Sequence, residues 1–244
     1  HIIYHYMAIV ELELRVPEKL AGIKLKQYQE YLKIQKENEE TEDKGNFLNS
    51  KCIQIFCGLT LKESYNLPVK MFDGVLKQIG NCFDEPTPLI KEFSMTGSND
   101  VTVEFGFIPQ LDEMTFGEYV DLENFISDWD NMHKAMAVLY RPITFKKNGK
   151  YRIEDYDGSD RYWEVMKDAP INVALGAMLF FYRLGKKLSK YTMDYLIQQK
   201  QVQGDSKSEM DSEKSGDGIN QFMLLLEERY QELIKLQRFH YTNV

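Results

Sequence analysis

Residues 107–156 read FIPQLDEMTFGEYVDLENFISDWDNMHKAMAVLYRPITFKKNGKYRIEDY, and the boundaries of an α+β fold are written into that stretch locally. Thr115 and Glu118 have capping-box spacing: at a helix start the Thr hydroxyl accepts from one free backbone N–H and the Glu carboxylate from another. Met114 and Tyr119 flank that start at hydrophobic-staple positions. Ser127 to Asp130 forms a second start, behind which Trp129, Met132, Met136 and Leu139 recur at helical intervals. Pro142 is expected to stop that helix, because it has no N–H and its ring clashes with the preceding turn. Asn148-Gly149, lying between Ile143–Phe145 and Tyr151–Ile153, predicts a two-residue hairpin turn, in which both central residues take positive φ.

Toward the N-terminus, Val10, Leu12, Leu14 and Val16 alternate with Glu11, Glu13 and Arg15, the period of a half-buried strand closed by Pro17. His1–Tyr6 is too short and uncharged for a signal peptide, and Met7 reads as the natural start. Tyr28, Tyr31 and Leu32 share one face of a helix that becomes almost wholly polar over Lys33–Lys44 and is expected to fray into a solvated loop at about Asn38–Gly45. A second helix is expected over Phe47–Phe56, with Gly58 as its stop. Thr60 and Glu63 make another capping box before a short helical turn. Pro68 begins a fourth helix, carried by Val69, Phe72, Val75, Leu76 and Ile79, with Gly80-Asn81 as its expected end. Beyond Pro86 and Pro88, Glu92–Met95 and Val101–Phe105 flank a Gly97–Asp100 turn, which predicts a first hairpin.

On the C-terminal side, Asp157-Gly158 turns the chain into a short helix containing Trp163. A long helix then runs from Pro170 to about Gln201. Its first half is apolar nearly all round, and Ala174, Gly176 and Ala177 would let a neighbour approach its backbone; this predicts the buried central helix. Residues 201–218 are polar and net acidic, the composition of a flexible linker. Residues 219–244 place Phe222, Leu225, Leu226, Tyr230 and Leu233 at helical spacing opposite charged residues. The expected architecture is a single α+β domain over residues 1–200. It is mostly helical, with two β-hairpins and an N-terminal strand forming a small antiparallel sheet. The linker 201–218 then tethers an amphipathic helix.

Composition narrows the function. The chain has 244 residues, is 43% hydrophobic and 28% charged, and carries a net charge of −8. An acidic chain with thinly spread Lys and Arg lacks the concentrated positive surface that nucleic acid requires. No run reaches the ~18 apolar residues of a membrane span. The three cysteines, Cys52, Cys57 and Cys82, have no CxxC pairing or ligand spacing and read as buried, reduced thiols. That reading favours a cytosolic compartment. No G-x-S-x-G, H-E-x-x-H, P-loop or G-x-G-x-x-G occurs, so no catalytic residue, metal ligand or cofactor is assigned.

Asp112, Glu113, Glu118, Asp121, Glu123, Asp128 and Asp130 crowd a stretch free of Lys and Arg, with His133 just beyond. The run over 112–130 could in principle surround a hard cation with oxygen ligands, which gives a metal-dependent enzyme using His133 as one alternative. Its spacing fits no EF-hand order, and helix starts attract acids through their dipoles. A partner-facing acidic surface involving Asp121, Glu123, Asp128 and Asp130 is the preferred expectation. The apolar face of the last helix (Phe222, Leu225, Leu226, Tyr230, Leu233) is expected to cover a groove in cis or in a partner.

The runs EMTFGEYVDLENFISDWDNMHKAMAVLYRPITFKKNGKYRIEDYDGSD and APINVALGAMLFFYRLGKKL, within a likeness covering about Ile9 to Leu196, resemble poorly characterised morphogenesis proteins of tailed bacteriophages. The Tyr140–Ile143 element and the small-residue helix with Phe180 and Phe181 carry the resemblance. It implies a non-enzymatic role in virion assembly, as a tail assembly chaperone-like factor or minor virion component. Its partners would be other phage proteins, bound in the host cytoplasm or in the particle, and an oligomer is compatible with that role. A host-directed phage interaction module is a further alternative.

Overall fold

The computed structural model describes residues 2–3, 13–38, 44–97 and 99–184. Its centre is a four-stranded antiparallel sheet of sequential order: β3 (Glu92–Thr96), β4 (Thr102–Phe107), β5 (Tyr140–Lys147) and β6 (Lys150–Ile153). Two hairpins make this sheet. The first pairs Phe93 with Phe105, and the second closes at Asn148 (φ 51°) and Gly149 (φ 73°), the positive-φ pair its turn requires. Phe105 pairs with Pro142 and Phe107 with Tyr140 across the middle.

The predicted N-terminal strand stands apart from this sheet. Its described part, β2 (Glu13–Leu14), pairs antiparallel with β1 (Ile2–Ile3) in a separate two-stranded ladder. Period-2 alternation shows that one face is buried but carries no information about which strand lies alongside. Leu14 is accordingly buried, and Pro17 beyond it accepts a hydrogen bond from the Cys82 thiol.

Helices α1 (Leu25–Glu37), α2 (Lys44–Cys57), α3 (Leu61–Tyr65) and α4 (Val69–Phe83) build the N-terminal half. Gly58 (φ 69°) ends α2 and the Thr60–Glu63 box starts α3, as their residue types dictate. Gly80-Asn81 does not end α4. Gly80 is buried between Ile79 and Cys82, and the packing of those side chains carries the helix on to Phe83 despite the roughly 1 kcal/mol that an interior glycine costs. Aromatic edges join these helices to the quoted stretch: Tyr28 meets Trp129 at 5.0 Å in a T-shaped contact and Phe83 at 5.7 Å.

α5 (Phe116–Phe125) and α6 (Met132–Leu139) follow β4. The helix α6 stops at Leu139, before Pro142, and Pro142 itself lies in β5. The proline still sets the stop. It disfavours the α conformation at Arg141, and its ring would strike the Val138 carbonyl, so the chain turns extended from Tyr140 onward. After α7 (Trp163–Met166), residues 171–184 form α8, the expected central helix. Ile171, Val173, Ala174, Ala177 and Met178 are all essentially inaccessible. Gly176 lies so close to the 88–89 backbone that a Cβ there would sit 2.3 Å from the Pro88 carbonyl oxygen. The start of α8 is bound to the start of α1 through Ile171 N–H to the Ile23 carbonyl and Leu25 N–H to the Ala169 carbonyl. Phe107, Phe180 and Phe181 pack α8 onto the sheet. Among the described residues, no helix is long and apolar enough to cross a membrane. The second half of the predicted long helix, the linker and the C-terminal helix lie outside the described residues.

Candidate functional site

The most specific polar arrangement sits where α5 meets β5. The capping box forms as its spacing predicts: Glu118 N–H donates to Thr115 Oγ1 at 3.3 Å, while Glu118 Oε2 accepts from Thr115 N–H at 2.6 Å and from its hydroxyl at 2.8 Å. The other carboxylate oxygen, Oε1, lies 2.6 Å from Arg141 Nη1, with only 4% and 9% of the two side chains exposed. Arg141 also donates through Nη1 to the Val138 carbonyl at 3.1 Å, one of those left open at the end of α6. Its Nε donates to the Glu154 carbonyl at 2.7 Å. Burial alone would raise the Glu118 pKa, but the Thr115 N–H, the Thr115 hydroxyl and Arg141 together outweigh it and hold the carboxyl below its usual range.

Around this pair lies a ring of further contacts. The Arg141 guanidinium stands 5.3 Å from the centre of the Tyr156 ring, and the Tyr156 hydroxyl donates a short hydrogen bond to Asp121. Glu154 accepts from the Tyr162 hydroxyl and pairs with Arg161 Nη2 at 3.0 Å. Burial, then the hydrogen bonds to Asp121 and Glu154, push both tyrosine hydroxyls up, Tyr162 to about 12. A general acid or base working near neutrality needs a pKa near 7, and these phenols are shifted away from it. The arrangement is a clamp that fastens the inner face of α5 to β5.

Because Glu118, Asp121 and Leu122 face inward, helical geometry turns Phe116, Tyr119 and Glu123 outward together. Phe116 is 82% exposed and Tyr119 53%; Glu123 is exposed too, as are Asp112 and Glu113 in the turn that leads into α5. Tyr119, expected to staple the helix start with Met114, is thus on the outer surface, while Met114 packs on the core.

The structure separates the acids that the sequence groups together. Asp121 is tied to Tyr156, whereas Glu123 and Asp130 are exposed. Asp128 caps the turn before α6, accepting from Asp130 N–H at 3.0 Å and from Asn131 Nδ2 at 2.7 Å. His133 is buried, and its Nδ1 lies 3.1 Å from Gln29 Nε2. Burial, with Lys167 and Lys134 nearby, lowers its pKa. Among the described residues, no group of three or more His, Cys, Asp or Glu is placed to hold a metal ion, so the run 112–130 and His133 do not converge there. Phe222, Leu225, Leu226, Tyr230 and Leu233 fall outside the described residues. Sequence reasoning did not single out Arg141, Glu154, Tyr156 or Tyr162 for the clamp. The available signal was a lone Arg directly before Pro142, at the one point where a helix must end beside a strand. Compared with protein families, with curated proteins and with solved structures, the chain matches none.

Proposed function

We propose that the protein is a non-enzymatic virion assembly factor of a tailed bacteriophage, tail assembly chaperone-like or a minor virion component, acting by binding other phage proteins. The observation that carries the binding role is the outer face of α5. Full burial of one Phe side chain is worth about 1.5–3 kcal/mol, yet Phe116 stands 82% exposed on a helix whose opposite face is clamped. Such an aromatic, presented on a rigid element, has the chemistry of an interface anchor. Leu61, Tyr65 and Val69, spaced four apart and all exposed at the α3–α4 corner, offer a second apolar area. The resemblance of residues 113–160 and 169–188 to phage morphogenesis proteins supplies the assembly context. Co-expression of the full chain with the tail and virion proteins of its phage tests the reading. A defined partner should copurify at fixed stoichiometry; if every candidate passes through unbound, the assembly role is lost.

A further inference from the structure

We infer that the outer face of α5 docks a basic amphipathic segment of a partner protein, one in which Lys or Arg flank apolar side chains. The inference rests on the binding role proposed above and adds the chemistry of the partner.

The apolar part of the face is Phe116 and Tyr119, adjacent on one helical stripe and backed by the Glu118–Arg141 clamp. An aromatic side chain has few rotatable bonds, so immobilising it in an interface costs little entropy. The tyrosine hydroxyl also suits the wet rim of a contact. Charge decides what can lie there. Glu123 follows Tyr119 by one helical turn, and Asp112 and Glu113 lie in the turn that leads into α5. All three are exposed, and among the described residues their side chains make no ion pair. From Leu111 to His133 there is no Lys or Arg at all. The next cation, Lys134, stands 5.4 Å from the Phe125 ring and 5.1 Å from the Trp163 ring, and Arg141 is buried. The exposed charge carried by α5 and by the turn that leads into it is therefore wholly negative. Like charges directed against it are penalised and opposite charges are steered onto it. A second copy docking through this same face would set acid against acid, and a phosphate backbone would be repelled. A segment carrying Leu-type side chains among Lys or Arg satisfies both parts of the surface.

Two labelled helical peptides test this on the full chain. They share one leucine stripe and differ only in carrying Lys or Glu at every polar position. The lysine peptide should bind, more weakly as salt rises, and the glutamate peptide should not. Phe116→Ser/Tyr119→Ser leaves the charge untouched and alters only exposed side chains; it should weaken binding at least tenfold, with the melting curve confirming an intact fold. Glu123→Lys should weaken binding at least threefold more than Glu37→Lys, an equal charge change at an exposed site on α1. Binding unchanged by the double serine variant would overturn the inference, since it would then be diffuse attraction to an acidic chain. No binding of the lysine peptide would overturn it too. Preference for the glutamate peptide would overturn the charge assignment alone and leave α5 as an interface, whereas failure of the copurification above would remove the assembly role whichever peptide binds.

Discussion

Arg141 donates to the Glu118 carboxylate and to two backbone carbonyls from a side chain that is only 9% exposed. A buried ion pair adds little over a well-packed apolar pair, but removing one partner strands the other charge at a cost of about 3–5 kcal/mol. Arg141→Met should therefore destabilise the fold by about that amount in urea titration. Pairing it with Glu118→Leu should restore most of the loss, although the Thr115 cap remains broken. The pH dependence follows from the depressed Glu118 pKa. Its stabilisation is complete above the unfolded carboxyl value of about 4.3 and is lost as pH falls below that through the lower folded value. The stability gap between the natural chain and Glu118→Gln, measured by urea titration from pH 7 to 3, should stay constant down to about pH 4.3 and shrink below it. A gap independent of pH would mean that the Glu118 carboxyl has the same pKa folded and unfolded, and a gap that widens as pH falls would mean that it is held neutral in the fold. Thr115 and Glu118 reveal themselves in sequence because a capping box spans only four residues. Arg141 does not, because its partner is chosen by the approach of two elements.

At the scale of elements, α8 and the second hairpin show two different uses of glycine. A Cβ at Gly176 would meet the Pro88 carbonyl oxygen at 2.3 Å, and backbone cannot swing away. Gly176→Ala should cost on the order of 1–3 kcal/mol, despite alanine's better helix propensity, as overpacking usually does. A thermal melt that rises instead would show that the 88–89 segment yields easily. Gly149 has open space around it but φ 73°, so Gly149→Ala should lose only about 1–2 kcal/mol, from the left-handed conformation. The first cost is tertiary and the second local. Sequence composition accordingly signalled the hairpin turn outright, whereas at α8 it signalled only that some neighbour comes close.

Over the whole molecule, the helices α2 and α4 carry three thiols that serve as reporters of global unfolding. Cys52, Cys57 and Cys82 are all buried, and burial pushes Cys57 up to about 12 and Cys82 to about 11. Thiolates are the reactive form, so an aromatic disulfide reagent at pH 8 should label the native chain very slowly. Labelling should accelerate in step with loss of circular dichroism across a urea series. Rapid modification of any one thiol in native buffer would show local opening of that helix instead. What the amino-acid sequence determined by itself was everything with a short range: the caps at Thr60 and Thr115, the stop at Gly58, the Asn148-Gly149 turn, the burial of α8 and the α+β class. These follow from φ preferences, missing donors and hydrophobic period, each complete within a few residues. Only the tertiary structure decided that β2 pairs outside the main sheet, that α4 passes through Gly80, and that Glu118 and Asp121 turn inward to Arg141 and Tyr156. Those outcomes depend on which surfaces pack together. The same packing leaves Phe116, Tyr119 and Glu123 facing outward, because a helix clamped along one side must present the other.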